Sequence, residues 1–293
     1  LYTHDVCIVP RNDVPANSQH AYLCVFNNLK WQPAAIGIWQ KGKACFDKMG
    51  AGIVYLPVYY EQEQMRAFNY PFVLKNSGEI KYLIPDTNRM FTVKLERKYP
   101  YDELQYEYSS CLTACCIEAS NDKNFAFPDT IFRFPAQNHY YFMVENEKLA
   151  GAYRYWRMVP SERAYIAELL FCTPQGKRLE PFYISKQDRA FDGNILTSAF
   201  LDTVWMDFGK PELVSRVVCL PRSDGNGIYP GNEYELFYYS EVGWCSLGRK
   251  EATGYSLDYE IPANALYWLR NRTTGIEERV FTVNPIDGQV RFW

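Results

Sequence analysis

Short apolar and aromatic runs recur along the chain, each closed within a few positions by Asn, Gly, Pro or Asp, and this punctuation predicts strands joined by tight turns. Residues 21–26 (Ala-Tyr-Leu-Cys-Val-Phe) read as a buried strand closed by Asn27-Asn28, with another beginning near Trp31. Residues 35–39 and 43–46 flank Lys41-Gly42, a hairpin signal, and Gly50-Ala51-Gly52 leads into Ile53-Val54-Tyr55-Leu56. Residues 71–74 and 80–84 surround Asn76-Ser77-Gly78, and residues 91–95 (Phe-Thr-Val-Lys-Leu) alternate in and out. The segment 1–100 is therefore expected to be one immunoglobulin-like β-sandwich. Beyond Tyr101 short strands continue; residues 102–108 and 111–117 are the stretches that tempt a helix, and none is assigned there.

An internal echo bears on domain organisation. Tyr155-Trp156-Arg157 followed by Glu168-Leu169-Leu170-Phe171 returns as Tyr267-Trp268-Leu269-Arg270 followed by Glu278-Arg279-Val280-Phe281. Either two aromatic-rich strand pairs coincide, or two related β-units exist. The expectation is an all-β chain of tandem β-sandwiches, with 101–293 as a second region that is either one unit or two packed units, 101–180 and 181–293.

Composition agrees with strands: aromatic residues make up 17% of the chain. The formal charge is only -3 and no long run of one sign occurs, which argues against nucleic acid and against a polybasic membrane patch. No apolar window is long enough to predict a membrane-inserted helix. The opening Leu1-Tyr2-Thr3-His4-Asp5 lacks the regions of a signal peptide, so the start reads as processed or truncated. Nine scattered cysteines, with no CxxC pair, read mainly as small buried apolar residues rather than a disulfide framework.

Two stretches carry a resemblance. Ala190-Phe191-Asp192-Gly193-Asn194-Ile195-Leu196-Thr197, then Val204-Trp205-Met206-Asp207-Phe208-Gly209-Lys210-Pro211, resembles the signature of the discoidin family, also called F5/8 type C or galactose-binding-like. Tyr234-Glu235-Leu236-Phe237-Tyr238, Gly243-Trp244 and Ser246-Leu247-Gly248 are similar to its following strands. Residues 153–157 and 167–171 look like its closing strands and suggest a preceding, degenerate copy. The whole chain also resembles the C-terminal accessory region of secreted gut-bacterial proteins with an upstream transglutaminase-like domain, chiefly over 21–60 and 265–281. These likenesses imply a galactose-binding-like jelly roll in 101–293, a secreted, periplasmic or cell-surface location, and a carbohydrate or cell-wall glycan partner.

Two loops could carry chemistry. Asp192 and Asn194 offer hard oxygen ligands around Gly193, and Thr197 adds a hydroxyl, a set suited to a structural calcium ion. By the resemblance a distant carboxylate completes it, Glu278 or alternatively Glu277, while Glu168 of the first copy stays metal-free. The alternative is an Asx-turn without metal. The loop 221–229 offers Arg222, Asp224 and Asn226 as sugar hydrogen-bonding groups and Tyr229 as an apolar platform; otherwise Arg222 and Asp224 simply pair on the surface. Trp205 and Trp244 read as core anchors. Catalysis finds little support, because His4, His20 and His139 have no paired spacing and no nucleophile or phosphate motif occurs. Acid pairs such as Glu61 with Glu63, or Glu277 with Glu278, leave a glycan-active hydrolase as a rival, and a structural or protein-interaction module is another. The expected function is non-catalytic carbohydrate binding.

Overall fold

The computed structural model describes residues 2–16, 18–146, 151–186, 188–275 and 278–293. It is almost entirely antiparallel β-structure, with one helix, Glu103–Ser110, and one 3-10 turn, Asp188–Ala190, among the described residues. Two compact units emerge: Leu1–Pro100 together with Ile228–Trp293, and Tyr101–Gly227, which is inserted between them in the sequence.

The inserted unit is a sandwich. One five-stranded sheet runs in the order Asp129–Arg133, Cys116–Ser120, Tyr153–Val159, Val204–Glu212, Tyr183–Ile184. The other holds Phe142–Glu145, Arg216–Pro221, Ala164–Cys172 and Arg178–Leu179, with Ala199–Leu201 also on Ala164–Cys172. Alternation does the packing, since strand side chains point to opposite faces in turn. Ile117, Trp156, Met158, Val204 and Met206 from the first sheet meet Phe142, Ile166, Leu169, Phe171 and Val217 from the second in one core.

The larger unit is closed by its C-terminal part. Its eight-stranded sheet folds around Val6, Ile8, Leu23, Phe46, Tyr55 and Phe72. A five-stranded sheet of Gly243–Glu251, Glu233–Ser240, Tyr267–Asn271, Val280–Val283 and Val290–Phe292 packs on Tyr259, Ile261 and Val93. A third cluster joins the two sheets, with Cys24, Leu56 and Val58 against Tyr239, Leu266 and Trp268. Strand Asp86–Leu95 pairs with Leu257–Ala263.

Residues 1–100 are thus not a self-contained sandwich, and 228–293 pack with them rather than with 101–227. Period-2 alternation reveals that a segment is a strand but not which strand lies beside it. The echo also separates: Tyr267–Asn271 and Val280–Val283 pair in one sheet, whereas Tyr153–Val159 and Ala164–Cys172 lie in opposite sheets of the inserted unit. The discoidin-like stretches divide likewise, residues 190–211 falling in the inserted unit and 234–248 in the larger one.

Two local features escaped the sequence reading. Helix Glu103–Ser110 starts with a capping box, in which the Asp102 carboxylate accepts from the Gln105 N–H and the Gln105 side chain accepts from the Asp102 N–H. Cys7 and Cys45 face each other across neighbouring strands and form a disulfide.

Candidate functional site

The Asp192 turn lies in the inserted unit between the 3-10 turn and strand Ala199–Leu201. Asp192 Oδ1 accepts from the Asn194 N–H at 2.8 Å, and Thr197 Oγ1 donates to Asp192 Oδ2 at 2.8 Å. Asn194 Oδ1 accepts from the Leu196 N–H at 3.1 Å. Gly193 has φ +75°, which an L side chain rarely adopts, so this position favours glycine. Partial desolvation pushes the Asp192 carboxyl up, but the bonds from Thr197 and Asn194 outweigh it and hold the group below the usual range.

The carboxyl beside this turn is Glu168, from strand Ala164–Cys172, standing next to Asp192 and Gly193. Its side chain is only 3% exposed, and neither oxygen has a well-formed hydrogen bond. Burial pushes its pKa up to about 7, against the pull of Arg178, whose Nη2 lies 3.6 Å from Glu168 Oε2. Arg178 Nη2 also donates to the Phe191 carbonyl at 2.7 Å, which ties the strand Arg178–Leu179 to the turn. Glu168, expected to be a metal-free counterpart in another copy, therefore stands beside Asp192 in the unit that holds Asn194 and Thr197, whereas Glu278 does not share that unit.

Glu278 belongs to the larger unit and has another role. Its Oε2 accepts from Trp268 Nε1 at 3.0 Å and its Oε1 from the Asn271 N–H at 2.7 Å. Burial raises its pKa, opposed by the Asn271 N–H, Lys98 and Trp268. It ties the segment before strand Val280–Val283 to strand Tyr267–Asn271. Glu277 lies outside the described residues. Among those described, no group of three or more His, Cys, Asp or Glu side chains converges as a metal cluster.

The loop 221–229 carries the chain from the inserted unit back into the larger one, with the boundary between Gly227 and Ile228. Arg222 Nε donates to Asp224 Oδ1 at 2.9 Å, and Asp224 sits at φ 50°. Asn226 is fully buried and Tyr229 is 7% exposed, so neither offers the outward group or platform expected of it. Tyr229 instead turns inward, its N–H donating to the Tyr234 hydroxyl at 3.0 Å. The loop is anchored in the inserted unit by Gln105, whose Nε2 donates to the Ser223 carbonyl at 3.0 Å.

Aromatic partners for Arg222 come from elsewhere in the same unit. Its guanidinium lies over the Tyr108 ring at 5.6 Å and the Tyr165 ring at 5.8 Å. Tyr108 and Tyr165 have centroids 4.8 Å apart, and Tyr165 stacks on Phe200 at 4.4 Å. Arg163 covers Phe200 at 4.5 Å. Tyr165 and Phe200 are cross-strand partners on Ala164–Cys172 and Ala199–Leu201, a geometry in which aromatic pairs reinforce a sheet. This row of rings, bracketed by Arg163 and Arg222, was not singled out from the sequence. A signal existed: Tyr165 lies between the buried Ala164 and Ile166, and Phe200 between the buried Ala199 and Leu201, so alternation places both on the outer face.

The signature residues Trp205 to Gly209 have a structural explanation. Asp207 accepts a bidentate pair from Arg154, Nε at 2.8 Å and Nη2 at 2.9 Å, and also the Gly209 N–H at 2.7 Å. The Arg154 guanidinium holds the Asp207 carboxyl below the usual range. Trp205 is only half-buried, beside Tyr183 at 5.1 Å, and the core tryptophan of this unit is Trp156. Trp244, also half-buried, packs within 5.6 Å of Phe26 and 5.5 Å of Trp268 in the larger unit. Of the acid pairs considered for hydrolysis, Glu61 is exposed and faces Arg66 at 3.6 Å. A concavity of about 260 Å³ in the inserted unit is bordered by Glu145, Thr173, Ser215 and Arg216 and has no aromatic ring in its lining. No family model, curated protein or solved structure matches the chain.

Proposed function

We propose that this chain is a non-catalytic carbohydrate-binding module, with the inserted unit as the binding element. The observation that carries the reading is the row Phe200, Tyr165 and Tyr108 beside Arg222 and Asp224. Sugars combine an apolar C–H face with hydroxyls in fixed directions, so a receptor needs aromatic surface next to planar donors and a carboxylate acceptor. Phe200 is 42% exposed, which leaves apolar surface for a pyranose ring. The recognition set is thus Arg222 and Asp224 from the loop, joined by Tyr108, Tyr165 and Phe200, while Asn226 and Tyr229 support the loop from inside.

Calcium belongs to the same reading. Glu168, Asp192, Asn194 and Thr197 would hold it, Glu168 in place of Glu278. The fit rests on the buried Glu168 oxygens that lack well-formed hydrogen bonds, because a hard cation seeks such a carboxylate. Bound there, the ion supplies charge neutralisation and fixes the Asp192 turn. A location outside the reducing cytosol, secreted, periplasmic or at the cell surface, is supported by the Cys7–Cys45 disulfide. An upstream transglutaminase-like domain remains part of the proposal through resemblance alone.

The test is a glycan array and polysaccharide pull-down with the whole chain, repeated for Tyr165→Ala. Binding that falls about tenfold or more in the variant is the expected result. Signal at background across the array would remove the reading. For the ion, millimolar calcium is expected to raise the melting temperature of the wild type and to leave Glu168→Gln unmoved; equal shifts in both proteins would exclude Glu168 as a ligand.

A further inference from the structure

The two arginines that bracket the aromatic row are not equivalent. Arg222 is committed to Asp224 through Nε at 2.9 Å. Arg163 lies over Phe200 at 4.5 Å and, among the described residues, has no ion pair with any carboxylate. Its sequence neighbour Glu162 stands close to Cys111. An exposed guanidinium held over a ring still has N–H donors to offer, and its planar fork can receive a carboxylate through two parallel bonds. The ring beneath also restricts the long side chain, so little freedom is lost when an anion arrives.

We infer that the ligand of this face is an acidic glycan, a uronic-acid polymer, whose carboxylate is received by Arg163 while its ring lies along Phe200. The inference rests on the carbohydrate-binding reading above and adds the charge of the sugar to it. A neutral glycan would use the aromatic row and the Arg222–Asp224 pair but leave the Arg163 charge unanswered. An acidic one answers it without burying an isolated ion, because Arg163 is exposed and its partner arrives from solvent.

The experiment measures binding of the whole chain to matched pairs of polymers, galacturonan, glucuronan and alginate, each beside its carboxyl-reduced form of identical linkage. The expected result is at least one pair in which the acidic form binds about tenfold more tightly than the reduced form, a preference that shrinks as salt rises. Arg163→Gln is expected to abolish that preference and leave the reduced polymer bound within about twofold. Arg163→Lys, which keeps the charge without the planar fork, is expected to recover only part of it. Tight binding of reduced polymers with no acidic preference overturns the inference and leaves the carbohydrate reading intact. An unchanged preference in Arg163→Gln, with unchanged melting, overturns the role of Arg163. Binding to neither member of any pair overturns the inference, while the glycan array decides the carbohydrate reading separately.

Discussion

Glu168 shows how one residue can couple the interior of the inserted unit to its surface. Its pKa is raised from 4.5 to about 7, so the folded state holds the proton more tightly than the unfolded chain does. In chelated buffer, stability is therefore expected to be greatest below about pH 4.5 as far as this group is concerned, to fall as pH rises toward about 7, and to level off above it. The total change is roughly 3 kcal/mol at most. Glu168→Gln should remove that slope, since the amide carries no charge and can donate to Asp192; chemical denaturation at a series of pH values measures it, and an unchanged slope would assign the dependence elsewhere. Glu278 is the contrasting case. It accepts from Trp268 Nε1 and from the Asn271 N–H, so Glu278→Leu strands two buried donors. A loss of about 2–5 kcal/mol is expected in the transition of the larger unit, with the inserted unit unaffected. A variant that melts like the wild type would contradict this role. Both glutamates look alike in the sequence, each at the same place in an echoed motif, although only Glu168 lies within a strand. What distinguishes them is the neighbour supplied from afar: the Asp192 turn for Glu168, and Trp268 and Lys98 for Glu278. No single-strand pattern contains that information.

Among the elements, the strands were legible because alternation and turn residues are local signals. The hairpin at Lys41-Gly42 joins strands Lys30–Gln40 and Lys43–Gly50 as read, and both residues have positive φ. The helix Glu103–Ser110 was not legible by periodicity, since only Gln105 and Ser109 of its residues are buried and both are polar. Its capping box was the available signal. Gln105 serves twice, completing the cap and holding the Ser223 carbonyl of the recognition loop. Gln105→Ala is expected to cost about 1–3 kcal/mol and to weaken glycan binding by loosening Arg222 and Asp224; a destabilised variant with full affinity would separate the loop from the site. The disulfide was missed because cysteine counting cannot pair Cys7 with Cys45 without the strand register. It closes 38 residues of chain, and reduction is expected to cost the larger unit about 3–4 kcal/mol. Comparing denaturant midpoints with and without a thiol reductant, at constant pH, checks this.

At the scale of the molecule, the inserted unit has its own core and both of its sheets, while the larger unit needs residues 228–293 to cover Cys24, Leu56 and Val58. Residues 101–227 are therefore expected to fold when produced alone, whereas 1–100 alone should expose that surface and aggregate. A cooperative melt of isolated 1–100 would contradict the assignment of 228–293 to its core. The sequence carries no mark of this because an insertion leaves every local pattern intact and changes only which segments meet. The aromatic face likewise exists only once Tyr108, Tyr165, Phe200 and the Arg222 loop are gathered by the sandwich. The most direct measurement of the central claim is hydrogen–deuterium exchange of the whole chain with and without a bound polysaccharide. Slowed exchange confined to residues 105–110, 163–167, 199–201 and 221–225 is the expected result. Protection located in residues 1–100 or 228–293, with those four segments unchanged, would contradict it.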